Sequence, residues 1–197
     1  MRKGEQTKEM IVARAAAVFN RQGYYGARLD DILRATGLEK GGIYNHFAGK
    51  DDLALQAFDY SIGLVRQRFA AALEGKRHAA ERLLAVVDVL RDMIEDPPVS
   101  GGCPLLNTAV EADDAHPALR ARARATMDEW YGMIHRIVTR GVERGELRAE
   151  TDPSEVATML ISSLEGAIMM SKLYDDPAHV RRVAAYLSRY VDTVLRA

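Results

Sequence analysis

Three observations predict an all-α fold for this chain. Apolar residues recur at i, i+3 and i+4 through most of its length, the spacing of one buried helix face. No segment alternates with period two for long enough to form a strand. All six prolines (Pro97, Pro98, Pro104, Pro117, Pro153 and Pro177) fall between or at the start of periodic segments, so they punctuate helices rather than break them. About nine helices are expected, three in a small N-terminal domain over residues 1–50 and the rest in a larger helical domain over 51–197.

The first helix is expected over about residues 6–22, where Ile11, Ala15, Val18 and Phe19 form a stripe that Gly23 ends. Leu29, Ile32 and Leu33 give a second apolar face. Gly37 supplies a left-handed stop after Thr36, and Leu38 turns inward at the corner. A short third helix begins near residues 39–41. Its Ile43 and Phe47 stand one turn apart and anchor it to the core, which leaves Lys40, Gly42, Tyr44, Asn45 and His46 outward or along the flanks. These two helices and their tight corner form a helix-turn-helix.

A long helix follows over about 51–74, striped by Leu55, Phe58, Ile62, Val65, Phe69 and Leu73. Its roughly 24 residues would span about 36 Å, enough to link two domains. After the Gly75 turn, Leu83, Val87, Leu90 and Ile94 mark a helix ended by Asp96-Pro97-Pro98, and 99–102 is a loop. Helices over about 104–113, 117–144, 153–173 and 177–196 complete the chain. The 117–144 stripe is Leu119, Ala123, Met127, Trp130, Ile134 and Ile137.

With 197 residues, 48% hydrophobic and 28% charged, the chain can bury a real core, and the disordered and fibrous classes are excluded. No stretch approaches the unbroken apolar length of a bilayer span, so no membrane partner is expected. The N-terminal MRKGEQTKEM is not followed by an apolar signal-type segment, and the single Cys103 allows no intramolecular disulfide. A cytoplasmic location is expected. The net charge of −1 is unevenly spread, because residues 1–50 carry nine Lys/Arg against five Asp/Glu, leaving +4 there and −5 elsewhere. A basic head on an acidic body suits a protein whose one end meets phosphate.

The outward chemistry of the third helix fits a duplex groove. Tyr44 and His46 can donate to phosphate oxygens, and Lys50 stands at the start of the long helix, where its ammonium and free backbone N–H groups face an anion. Asn45 and Lys40 are candidates for base edges, since an amide pairs with adenine and an ammonium with guanine. Gly42 costs helix stability of about 1 kcal/mol against Ala. It either lets the backbone approach the groove closely or leaves that position unread.

From Gly23 to Leu53 the chain resembles the DNA-binding domain of the TetR family of transcriptional regulators. Gly23-Tyr24, Asp31-Ile32, Thr36-Gly37-Leu38, Lys40-Gly41, Ile43-Tyr44, His46-Phe47, Lys50 and Leu53 fall at that family's spacing. The resemblance implies that Lys40, Tyr44, His46 and Lys50 occupy positions that commonly touch DNA. Where the family often has Thr or Ser capping the second helix and touching phosphate, this chain has Ala27 and Arg28, and Arg28 can replace the contact. It further implies a homodimer in which the last two helices, residues 153–196, form a four-helix bundle across a two-fold axis. Ser163, Gly166 and Ala167 permit close approach there. Such a dimer presents two recognition helices one duplex turn apart, about 34–36 Å, and asks for a palindromic operator on double-stranded DNA.

The middle helices are expected to hold a small-molecule effector pocket. Met93, Met127, Trp130, Tyr131 and Met169 are soft or aromatic groups suited to an adaptable apolar cavity, joined by Met133 and Met170. Asn107, Glu111 and His135 are its candidate polar anchors. Cys103, after Gly101-Gly102 and before Pro104, is expected at a helix N-cap, where backbone N–H groups favour a thiolate. It is a candidate sensor of oxidants or electrophiles, against the alternative of a small buried hydrophobe.

Glu111, Asp113, Asp114 and His116 cluster just before Pro117, where helix capping explains them better than a metal. No metal-ligand spacing, cofactor motif or nucleophile with its base is present, so neither a metal, a cofactor nor a catalytic residue is expected. The favoured function is a ligand-responsive regulator, more specifically a repressor. The alternative, towards which Ala27 and Gly42 lean, is a helical small-molecule-binding protein that has lost DNA binding.

Overall fold

The computed structural model describes residues 3–112 and 115–197. Among them the fold is all-α, with nine α-helices. They are α1 (Lys3–Gly26), α2 (Leu29–Thr36), α3 (Lys40–Tyr44), α4 (Lys50–Leu73), α5 (Ala79–Arg91), α6 (Pro104–Ala112), α7 (Pro117–Glu143), α8 (Pro153–Tyr174) and α9 (Ala178–Tyr190). A π-helical turn, Val191–Leu195, follows α9. Asp113 and Asp114 of the expected acidic cluster lie outside the described residues.

The chain forms two compact units. The first takes in the chain up to Val65 together with Pro98–Arg124, and the second holds Arg66–Pro97 with Ala125–Ala197. This division by compactness falls differently from a boundary at residue 50. The first unit reaches further because α6 packs on α1, and Val99 joins the α1–α4 core beside Ile11, Ala15 and Phe47. In the second unit α5, α8 and α9 pack together around Leu83, Leu164 and Leu187.

Local chemistry explains the helix ends. Gly37, with φ of 70°, sends its N–H to Leu33 O and closes α2, as the sequence predicts. Asp152 caps α8 by accepting from the N–H groups of Ser154 and Glu155, ahead of Pro153 at the first helical position. Gly23 differs from expectation. With φ of 75° and ψ of 171° it kinks α1 rather than ending it, and helical hydrogen bonding resumes through Gly26.

The absence of any span-like stretch needs correction at α8. This helix is long and apolar enough, by length and composition alone, to cross a membrane. About half of its apolar stretch is buried inside the protein, where α8 packs on α5 and α9.

Candidate nucleic-acid interface

The helix-turn-helix rests on a core built from α1, α2 and α3. Ile32, Ile43 and Phe47 are buried with Ile11 and Ala15, while Leu38 at the corner packs partly buried against them. Burying Ile43 and Phe47 fixes the roll of α3 and turns Lys40, Tyr44 and Asn45 to solvent, with His46 half-buried on the flank. The Lys40 ammonium lies 5.8 Å from the Tyr44 ring centroid, so the two side chains present one cationic and hydrogen-bonding patch.

Gly42 faces elsewhere. A Cβ at that position would lie 3.4 Å from Leu38 Cβ, in ordinary contact with the helix-turn corner rather than extended from the exposed face. Arg28 is the N-cap of α2, its N–H donating to Asp31 Oδ2 at 3.0 Å, and its side chain is exposed and makes no capping bond. The guanidinium is thereby left available to an external anion. Ala27 beside it is buried, which accounts for a small apolar residue there.

Lys50 opens α4 with its ammonium 4.5 Å from the Tyr24 ring centroid. Tyr24 donates its hydroxyl to Asp51, and burial together with that hydrogen bond pushes its pKa up to about 12. The ring also meets His116 edge-on at 4.6 Å. His116 caps α7, accepting the Leu119 N–H at Nδ1 over 3.2 Å, so its remaining proton sits on Nε2. That Nε2 is buried without a hydrogen-bond partner among the described residues, 3.9 Å from Asp51.

A polar lock in this unit joins segments far apart in the chain. The Gly23 kink frees the N–H groups of Tyr24 and Tyr25 from helical pairing, and the Glu111 carboxylate of α6 accepts both, at 2.6 and 2.9 Å. Any Cβ at position 23 would collide with that carboxylate, so glycine serves both the backbone angle and the approach. Asn20 adds amide donations to Val99 O, Ser100 O and Gly102 O, and Asn107 donates back to Asn20 Oδ1 at 2.8 Å. In the sequence Asn20, an amide in mid-helix, carries no spacing signal.

The seven expected pocket residues are divided between the two units. Cys103 and Asn107 belong to the first, where Cys103 is fully buried at the α6 N-cap. Asn107 borders a cavity of about 30 Å³ lined also by Phe19, Tyr24, Ser61 and His116, room for about two waters. In the second unit Met93 is buried, and Trp130 packs edge-on against Phe69 at 5.3 Å with its Nε1–H buried and unpartnered among the described residues. Met127 and Tyr131 are half-buried, whereas Met169 is 54% exposed. Of the candidate anchors, Glu111 is committed to α1, and His135 accepts Thr139 Oγ1 through its carbonyl.

Comparison with known proteins agrees with this geometry. Residues 11–57 match the family of bacterial regulatory proteins named tetR, and 79–187 match the tetracyclin repressor-like C-terminal domain. A TetR transcriptional regulator from Chloroflexus aurantiacus is 46% identical, with a TM-score of 0.95 over 100% of this chain and 99% of that one. A TetR-family regulator from Cytophaga hutchinsonii is 34% identical, with a TM-score of 0.87 over 99% and 98%. The HTH-type transcriptional regulator LmrA of Bacillus subtilis is 29% identical over 84% of this chain and 86% of its own length.

Proposed function

Because the chain belongs to the TetR family, whose members are DNA-binding transcriptional regulators and not enzymes, we propose that it is a ligand-responsive repressor. It binds a palindromic operator as a homodimer in the cytoplasm and lets go when a small molecule enters its helical body. The observation that carries this reading is the roll of α3. Ile43 and Phe47 lock it into the core, so Lys40, Tyr44 and Asn45 project together from one exposed face. The contacts to DNA are assigned to Arg28, Lys40, Tyr44, Asn45, His46 and Lys50, with residues 1–50 as the DNA-binding domain and 51–197 as the effector and dimerisation domain.

Dimerisation through 153–196 is supported by the split face of α8. Leu160, Leu164 and Ala167 are buried in the protomer, while Met159, Met169, Met170 and Leu173 are exposed, Leu173 by 74%. Isolated apolar side chains on a surface are ordinary, but a run along one helix marks an interaction face. Gly166 lies within this run, and a Cβ there would meet nothing within 4 Å, so a partner helix can approach closely. For the effector, the buried Trp130 N–H without an acceptor offers a hydrogen bond that a ligand carbonyl can complete. Effector binding then shifts a population in which α4 tilts and respaces the two recognition helices.

Filter binding of the duplex upstream of the protein's own gene, across salt and base variants, tests the reading. Lys50→Ala should weaken all sequences and lower the salt slope by about one, and Asn45→Ala should cost about 1–3 kcal/mol at particular base pairs. Equal effects from both, or no binding even in dilute buffer, refute it.

A further inference from the structure

We propose that the second unit carries an anion site for a small molecule bearing two or more linked phosphates, in a basic crevice between the start of α5 and the C-terminal half of α7. The crevice measures about 480 Å³, on the scale of a small-molecule site. Its walls supply Lys76, Arg77, Arg82, Arg136, Arg140 and Arg144. The lining includes one carboxylate, that of Glu146, which accepts the Ala79 N–H at 2.7 Å and lies 3.9 Å from the Arg144 guanidinium.

Among the described residues Arg66, Arg122 and Arg181 hold carboxylate partners outside this crevice. Arg77, Arg136 and Arg140 have none among the described residues, although Glu81 and Glu143 are their neighbours in sequence. With Glu146 paired to Arg144, the other five cations face no further carboxylate among the crevice's lining residues, a local positive field in a chain of net charge −1.

The geometry selects the ligand class. Arg136 and Arg140 stand at i and i+4 on one face of α7, about 6 Å apart along it, and Arg144 follows in the turn just past the helix, its N–H donating to Arg140 O at 3.1 Å. The long side chains of such a row can converge on one multiply charged anion, each guanidinium forking onto a different pair of its oxygens. Opposite them, the turn through Gly75 brings up Lys76 and Arg77, and the Arg82 Nη1 donation to Lys76 O at 3.1 Å holds that turn in place. The two walls are tied at one end, where Gly141 packs so closely on Ala79 and Leu147 that no Cβ would fit. Met133 and Ile137 provide an apolar strip of floor between the charges. A monovalent anion would satisfy only one wall.

Isothermal titration with sodium pyrophosphate at fixed ionic strength, with orthophosphate and chloride as comparisons, tests the site. Pyrophosphate is expected to bind at least about tenfold more tightly than orthophosphate, and the double variant Arg136→Gln/Arg140→Gln to lose at least about tenfold in that affinity. Both positions are exposed, so an unchanged melting temperature will separate this from misfolding. Pyrophosphate binding no tighter than orthophosphate, or an unaltered double variant, overturns the proposal. So does loss of non-operator duplex affinity in the double variant without loss of pyrophosphate binding, since the crevice would then serve nucleic acid. Operator binding by α3 is measured separately, so either reading can fail alone.

Discussion

Glu111 illustrates how one side chain holds a helix break in place. Replacing it with Ala leaves the Tyr24 and Tyr25 N–H groups without their acceptor, and urea unfolding should show a loss of about 1–3 kcal/mol. Gln, which keeps one acceptor oxygen, should cost less. Gly42→Ala should act the other way. With its Cβ in contact with Leu38 it should stabilise α3 by up to about 1 kcal/mol, and a gel shift should show operator affinity little changed. A large loss of affinity would instead mean that the backbone at 42 approaches the duplex. Tyr24 supplies a pH signature. The folded protein holds its phenol proton more tightly than the unfolded chain does, so the associated stability is complete below the ordinary value of 10.0 and is lost as pH rises towards about 12. Thermal melts of Tyr24→Phe should decline less over that range than those of the parent. Cys103, buried at its N-cap, should react with a thiol reagent at a rate that climbs with added denaturant, and immediate labelling in native buffer would require an open route to it.

Among the elements, α3 and α8 illustrate opposite uses of amphipathicity. In α3 the apolar side is satisfied inside the protomer, which leaves a polar face for an external partner. In α8 apolar residues lie on both sides, and that surplus brings it to the composition of a membrane helix. Introducing charge into its open face, as in Leu173→Lys with Met169→Glu, should leave the protomer folded, since both residues are exposed. Light scattering should then report a monomer, with operator affinity reduced at least about tenfold because two half-sites no longer bind as one. A dimer that persists in this variant would place the interface elsewhere.

For the whole molecule, the uneven charge gains a second level of detail. The basic head and acidic body seen in the sequence would direct all anions to the N-terminal end. The folded second unit nevertheless gathers Arg77, Arg136 and Arg140 from two separate segments into a local positive crevice. Charge summed along a chain misses this, because fields add in space and not in sequence. The same applies to α6, which follows the second unit's α5 in the chain and yet packs on α1 in the first.

The helices, their order and the roll of the recognition helix were legible from the amino acids, because each rests on interactions within a few residues. Apolar spacing selects the buried face, Gly37 and Asp152 close and open helices locally, and Ile43 with Phe47 sets which side of α3 is free. What only the tertiary structure decided is everything that joins distant segments. That Glu111 caps a kink 87 residues away, that Asn107 meets Asn20, and that Gly42 abuts Leu38 instead of an open face all follow from side chains brought together by packing. Helix periodicity states which side of a rod is apolar. It does not state against what that side comes to rest, and the polar atoms trapped at those meetings are paired only once the rods have packed.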